Sequence, residues 1–246
     1  MARKYPRPQC SQTFDIEVNF LDDCLVTAGI YQIYIKTSMP IQLLFTSPQL
    51  FVAWILAIVY SITVHEFSHA FAAHVQGDDT AEQEGRLTLN PLAHLDWLGL
   101  ALLVLVGFGW GRPVPFNPHQ LKNRRLGPAL VGFAGPIANL LSVLIFGILL
   151  KVLVTTQVLG ADNLLFTFIS FLIEINVVLM VFNLIPIPPL DGSKVLYAFL
   201  GIKHLNVIAW LERYGIWLLI ILVFVGSPGL SRIFQSVVNL VYALVL

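Results

Sequence analysis

His65-Glu66-Phe67-Ser68-His69 is the segment of this chain best equipped for chemistry. Residues i and i+4 of a helix share one face, so both imidazoles can reach a single zinc ion. Glu66 lies between them and can take a proton from an attacking water. The pattern is common by chance, and its setting gives it weight. It follows Trp54-Ile55-Leu56-Ala57-Ile58-Val59-Tyr60, an apolar stretch. Ionisable side chains at membrane depth need partners. The competing account of these three is hydrogen bonding to neighbouring helices.

A catalytic zinc takes three protein ligands and leaves one position open, so a third ligand must come from elsewhere. His74 stands further along the same helix, near its end. His94, Asp96 and His119 lie in polar loops. Asp191 follows a proline-rich break, Pro186-Ile187-Pro188-Pro189, beside an apolar helix. Irregular backbone at membrane depth is tolerated only where it is buried or lines a wet cavity. That makes 183–192 a site candidate, although Asp191 also reads as a turn residue ahead of Gly192.

The elements that must position these residues are membrane helices. Of 246 residues 57% are hydrophobic and 11% charged, against about 45–50% and about 25% in soluble domains. The apolar residues come in long blocks, which predicts an all-α polytopic membrane protein. The first block runs from about residue 50 and continues as helix to Val75, ended by Gly77. Further spans are expected at about 127–150, 163–184, 207–226 and 230–246. Residues 97–109 are apolar but short, roughly 20 Å as helix against a hydrocarbon core of roughly 30 Å. A re-entrant segment fits them better than a full crossing, so the expected total is five to six membrane helices. Residues 1–38 read as a loose extension carrying Cys10 and Cys24, with Met39 as an alternative start, and 39–246 as the membrane domain. The formal net charge of zero gives no reason to expect a nucleic-acid partner.

Three motifs in order resemble the site-2 protease family of intramembrane zinc metalloproteases. They are His65-Glu66-Phe67-Ser68-His69-Ala70, Gly135-Pro136-Ile137-Ala138-Asn139, and Asn183-Leu184-Ile185-Pro186 running on to Asp191-Gly192. The resemblance covers roughly residues 50–200. It implies one zinc ion held by His65, His69 and Asp191, Glu66 as general base, and Asn183 as a donor to the oxyanion. The substrate it implies is a transmembrane protein, cut within or near its membrane segment. Ser193 stands where the family's Asp-Gly-Gly has its second glycine. The chain looks like the minimal branch, without a PDZ or CBS domain.

Geometry supplies a test. If 97–109 dips in and returns, the helix of His65 runs parallel to 163–184, and His69 can meet Asp191 near one membrane face. The loops on that face carry Arg86, Arg112, Lys122, Arg124, Arg125, Lys194 and Lys203, and the opposite loop at 151–162 only Lys151. The positive-inside rule then turns the zinc face toward the cytoplasm, in the cell membrane of a prokaryote. Arg3, Lys4, Arg7 and Lys36 run against this unless the chain starts at Met39. His94 with Asp96 could orient a ligand or substrate, or be a plain interfacial pair. Asn139 reads as close helix packing or as polar support of the site. Glu174, inside a span, needs a partner. The stretch 112–118 could be an extended edge beside the cleft, open to strand addition, or an ordinary loop. A metal or ion transporter using the same His/Glu/Asp cluster is the rival function. Transporters show repeated halves, and no such repeat is visible here.

Overall fold

The computed structural model describes residues 40–160, 163–201 and 204–245. The extension 1–38, Met39 and Lys203 lie outside the described residues. Nine α-helices form among them: α1 Pro40–Thr46, α2 Pro48–Val75, α3 Thr80–Gln83, α4 Trp97–Val106, α5 Gly127–Thr155, α6 Leu164–Asn183, α7 Asp191–Leu200, α8 Leu205–Phe224 and α9 Ser227–Val245. Four of these, α2, α5, α6 and α8, are long and apolar enough to cross a membrane.

The core is the triple α2, α5 and α6. Tyr60 meets Ser142, and Ala73 packs with Val131. Those pairings run in opposite senses, so α2 and α5 are antiparallel. Ala53, Trp54, Ala57 and Ile58 pack on Phe171 and Leu172, and Ser61 meets Asn176. These rise together, so α2 and α6 are parallel and end on the same side, as the re-entrant reading requires. A second cluster joins Val143, Leu150 and Val154 of α5 to Phe166, Ile169, Ile173 and Val177 of α6.

The segment 97–109 does not cross. Its helix α4 has 10 residues, about 15 Å, and ends on Gly107 at φ 80°, the left-handed turn that glycine adopts without penalty. Leu103 and Val104 pack toward Trp54 and Ala57 in the first half of α2. The chain then returns, and Leu95 forms an antiparallel bridge with Gly111. The two arms touch at glycines: a Cβ on Gly99 would collide with the Trp110 backbone, and one on Gly109 with Gly99.

Residues 230–245 fall in α9, which is not among the four helices that are long and apolar enough to cross. Its Val238 and Tyr242 are buried in the α5–α6 core, while Arg232, Ser236 and Asn239 are exposed. A run rich in apolar residues is thus an amphipathic helix laid on the bundle. Tyr242 Oη donates to Glu174 Oε1 at 3.3 Å, which supplies the partner that Glu174 needed.

Candidate metal centre

Two of the three candidate ligands come from one helix face, as the spacing required. His65 and His69 are buried in α2, 5% and 6% exposed, about 9–15 Å from its C-terminal end. Asp191 opens α7, after the proline-rich loop has turned the chain back from α6. A carboxylate in the first turn of a helix is favoured by the helix dipole. Gly192 allows the turn, because a Cβ there would overlap the carbonyls of Leu184 and Ile185.

The three meet at one point. His65 Nε2 and His69 Nε2 each lie 3.1 Å from Asp191 Oδ2 and 3.1 Å from one another. A tetrahedral ion with bonds of about 2.0–2.1 Å separates its ligand atoms by about 3.3 Å, so the triangle fits zinc. The proton positions point the same way. His69 Nδ1 lies 2.7 Å from the Val131 carbonyl, which can only accept, so Nδ1 carries the hydrogen. Asn139 Nδ2 donates to Asn176 Oδ1 at 2.7 Å, which turns Asn139 Oδ1 toward His65 Nδ1 at 2.6 Å. His65 Nδ1 therefore also carries its hydrogen. In the neutral rings both Nε2 atoms present lone pairs to each other and to a carboxylate oxygen. Three acceptors with no hydrogen among them call for a cation.

The support extends past Asn139. Asn176 Nδ2 donates to Ser61 Oγ at 2.8 Å and to the Leu172 carbonyl at 2.7 Å, and Ser61 Oγ donates to the Ala57 carbonyl at 2.7 Å. Ser61, Asn139 and Asn176 are each 0% exposed, and together they tie α2, α5 and α6 behind the His65 ring. Asn139, read from the sequence either as close packing or as polar support, is here in hydrogen-bond contact with His65. Asn176 and Ser61 went unnoticed in the sequence, although an amide inside a membrane span is itself a signal.

Small residues give the rings their space. A Cβ on Gly135 would stand 2.5 Å from His65 Cε1 and 2.6 Å from His69 Nε2. One on Gly132 would stand 3.0 Å from the Asp191 carbonyl oxygen and 2.9 Å from Lys194 Cδ. Lys194, also missed, donates to Asp191 Oδ1 at 2.8 Å, leaving Oδ2 for the histidines.

The other candidates are placed differently. Glu66, half-buried, reaches the hairpin's exit, where a Cβ on Gly111 would be 3.4 Å from its Oε1. Asn183 closes α6 with its Nδ2 donating to the Leu179 carbonyl at 3.0 Å. His94 is 0% exposed, and its Nε2 meets the Thr88 carbonyl at 2.7 Å. It braces its own loop rather than joining the ligands. Asp96 caps α4 by accepting from Gly99 N at 2.8 Å. His74 pairs with Asp79 and Glu82 at the surface.

A helical His-Glu-x-x-His pair closed by a distant aspartate, within a bundle of long apolar helices, defines a membrane-embedded zinc metallopeptidase. The model of Peptidase family M50 matches residues 156–224. A candidate zinc metalloprotease of Bacillus subtilis (strain 168), YwhC, is 44% identical over 146 residues, covering 58% of this chain and 66% of that protein. Rip2 of Mycolicibacterium smegmatis, named in the same terms, is 34% identical over 197 residues, 76% of this chain and 72% of its own length. Its Mycobacterium tuberculosis (H37Rv) counterpart is 30% identical over 194 residues, with the same 76% and 72%. The chain belongs to peptidase family M50. No solved structure matches it.

Proposed function

We propose that this chain hydrolyses peptide bonds within or near transmembrane segments of other membrane proteins. The observation that carries the reading is the convergence of His65, His69 and Asp191 beside Glu66, at membrane depth in the bundle. Zinc held by those three supplies electrophilic polarisation of the scissile carbonyl and a lowered pKa for water. Glu66 takes the proton from the attacking water and returns it to the leaving amine. Asn183 has a second amide hydrogen beyond the one given to Leu179, and the reading assigns that hydrogen to the developing oxyanion. Asn139 and Val131 hold the rings so that their Nε2 atoms stay turned to the metal.

The substrate must be locally unwound, because a helical carbonyl is shielded by its own hydrogen bond. The stretch from Arg112 to Pro118 forms neither helix nor strand and leads away from Gly111, which borders Glu66, a position from which it could receive such a segment by strand addition. Arg86, Arg112, Lys122, Arg124, Arg125 and Lys194 lie on the side where α2 and α6 end, and Lys151 on the other. That asymmetry supports a cytoplasmic zinc face, and the bacterial relatives support a prokaryotic cell membrane.

The test is reconstituted protein with a model transmembrane substrate, comparing wild type with Glu66→Gln. Wild type should cleave. The variant should keep its zinc and lose cleavage. A variant that still cleaves at the wild-type rate would end the assignment of Glu66.

A further inference from the structure

Two charged side chains outside the metal centre are almost wholly buried. Asp78 is 0% exposed and Arg86 is 3% exposed. Neither takes part in an ion pair among the described residues. With no ion-pair partner in contact, each buried charge is answered by hydrogen bonds, and both find them on the same stretch of backbone; Glu66 and Glu84 are the opposite charges that act on Arg86 from further off. An Arg86 guanidinium nitrogen donates to the Arg112 carbonyl. The Asn117 N–H donates to Asp78 Oδ2, while Asp78 Oδ1 accepts from the N–H and hydroxyl of Thr80. Arg86 Nε is buried without a partner, so the Arg112 carbonyl is the contact that places the group.

The stretch so held is the strap after the hairpin. It starts at Gly111 beside Glu66 and runs to Phe116, whose ring lies 5.5 Å from Lys194 Nζ, the ammonium bound to Asp191. It therefore passes from the general base to the third ligand. Between its two fastenings, residues 113–116 form no backbone hydrogen bond with other described residues. Pro113 and Pro115 have no N–H to offer, so Val114 and Phe116 keep the only donors there. A segment without backbone partners, tethered at each end by a buried charge, is held for something other than its own folding.

We propose that Arg86 and Asp78 are positioning residues, which fix this strap at the distance from Glu66 and Asp191 at which a substrate chain is seated. This rests on the peptidase reading of the site. Arg86 sets the end near the base, through the Arg112 carbonyl, and Asp78 the end near the ligand, through the Asn117 N–H. Neither touches the reacting atoms.

The experiment uses the full chain in lipid nanodiscs as wild type, Arg86→Gln, Arg86→Lys and Asp78→Asn. Three quantities are read: zinc per chain, hydrogen exchange of peptides covering 111–118 against peptides of α2 and α5, and KM and kcat on a model transmembrane peptide. The expected result is unchanged zinc and helix protection, with exchange at 111–118 faster by about tenfold or more. KM should rise about tenfold, with kcat changed less than about threefold. Arg86→Lys, which keeps the charge and a donor, should recover part of the loss. Unchanged strap exchange with unchanged KM would overturn the proposal. So would loss of zinc and helix protection in step with the strap, which is the mark of a purely structural role. Should wild type cleave nothing, the peptidase reading fails by itself, and the exchange arm still decides whether these residues hold the strap.

Discussion

Replacing Gly135 with alanine adds one carbon where two imidazoles already stand. That Cβ would be 2.5 Å from His65 Cε1, 2.6 Å from His69 Nε2 and 2.7 Å from His65 Nε2. Non-bonded carbons settle at about 3.5–4.0 Å, so the rings and the α5 backbone must separate by about 1 Å. The rings have little freedom to retreat. His65 Nδ1 is held at 2.6 Å by Asn139 and His69 Nδ1 at 2.7 Å by the Val131 carbonyl, both also on α5. Metal–ligand distances tolerate only about 0.2 Å, and disturbing the groups that orient ligands weakens metal binding about 10–100-fold. The expected loss for Gly135→Ala is at the upper end, about 100-fold. The helix itself should not suffer, because alanine is favoured over glycine in a helix interior by about 1 kcal/mol. The assay is zinc affinity by chelator competition on purified protein, with circular dichroism to confirm the helices. Wild-type affinity in a fully helical Gly135→Ala protein would refute the placement of the rings against α5.

Other outcomes follow from the same contacts. Asn139→Leu should lower zinc affinity about 10–100-fold, and Asn176→Leu by less, since it acts on His65 only through Asn139; chelator titrations of both rank the effects. Stripping zinc should lower thermal stability, by about 4 kcal/mol where free zinc had been about 1,000 times its dissociation constant, as read by unfolding with and without chelator. Gly99→Ala should leave zinc in place yet impair cleavage, because its Cβ displaces the Trp110 backbone one residue before Gly111, which borders Glu66; a metal assay beside a cleavage assay separates the two.

What the sequence disclosed depended on how local the cause was. His65 and His69 were legible because a four-residue step on one helix fixes their relation. The re-entrant hairpin was legible because 97–109 is too short to cross, and length is a local property. The parallel α2 and α6 followed from that one inference. The support behind the ligands was harder to read. Asn176 and Ser61 reach His65 through Asn139, across separations of up to 115 residues, and no spacing rule links such positions. Lys194 could have been found, because residues i and i+3 are neighbours on a helix and Asp191 opens one. The segment 230–246 is a different case. The number of apolar residues in a run says nothing of the direction each one faces. In α9 Val238 and Tyr242 lie against the bundle, while Ile233, Leu240 and Leu244 are exposed together with Arg232 and Asn239.

The polar groups of this bundle sort by what surrounds them, and the sorting itself argues for chemistry over transport. Ser61, Asn139, Asn176, His65, His69 and Asp191 lie within one connected set of hydrogen bonds and close contacts linking α2, α5, α6 and the start of α7. Each ring is fixed at Nδ1, and the metal-facing carboxylate is fixed through its other oxygen by Lys194. An ion pathway needs sites that release what they bind, whereas here each ligand is oriented by a partner that is itself oriented. Rigidity of that order suits a resident metal that must hold its geometry while a substrate reacts. Among the described residues, the strap leaves the Val114 and Phe116 N–H groups without a backbone partner, and it starts on the side of the metal centre where Glu66 stands. The fixed side holds the metal and the unpaired side faces the base, which is the division of labour that hydrolysis of an unwound chain requires.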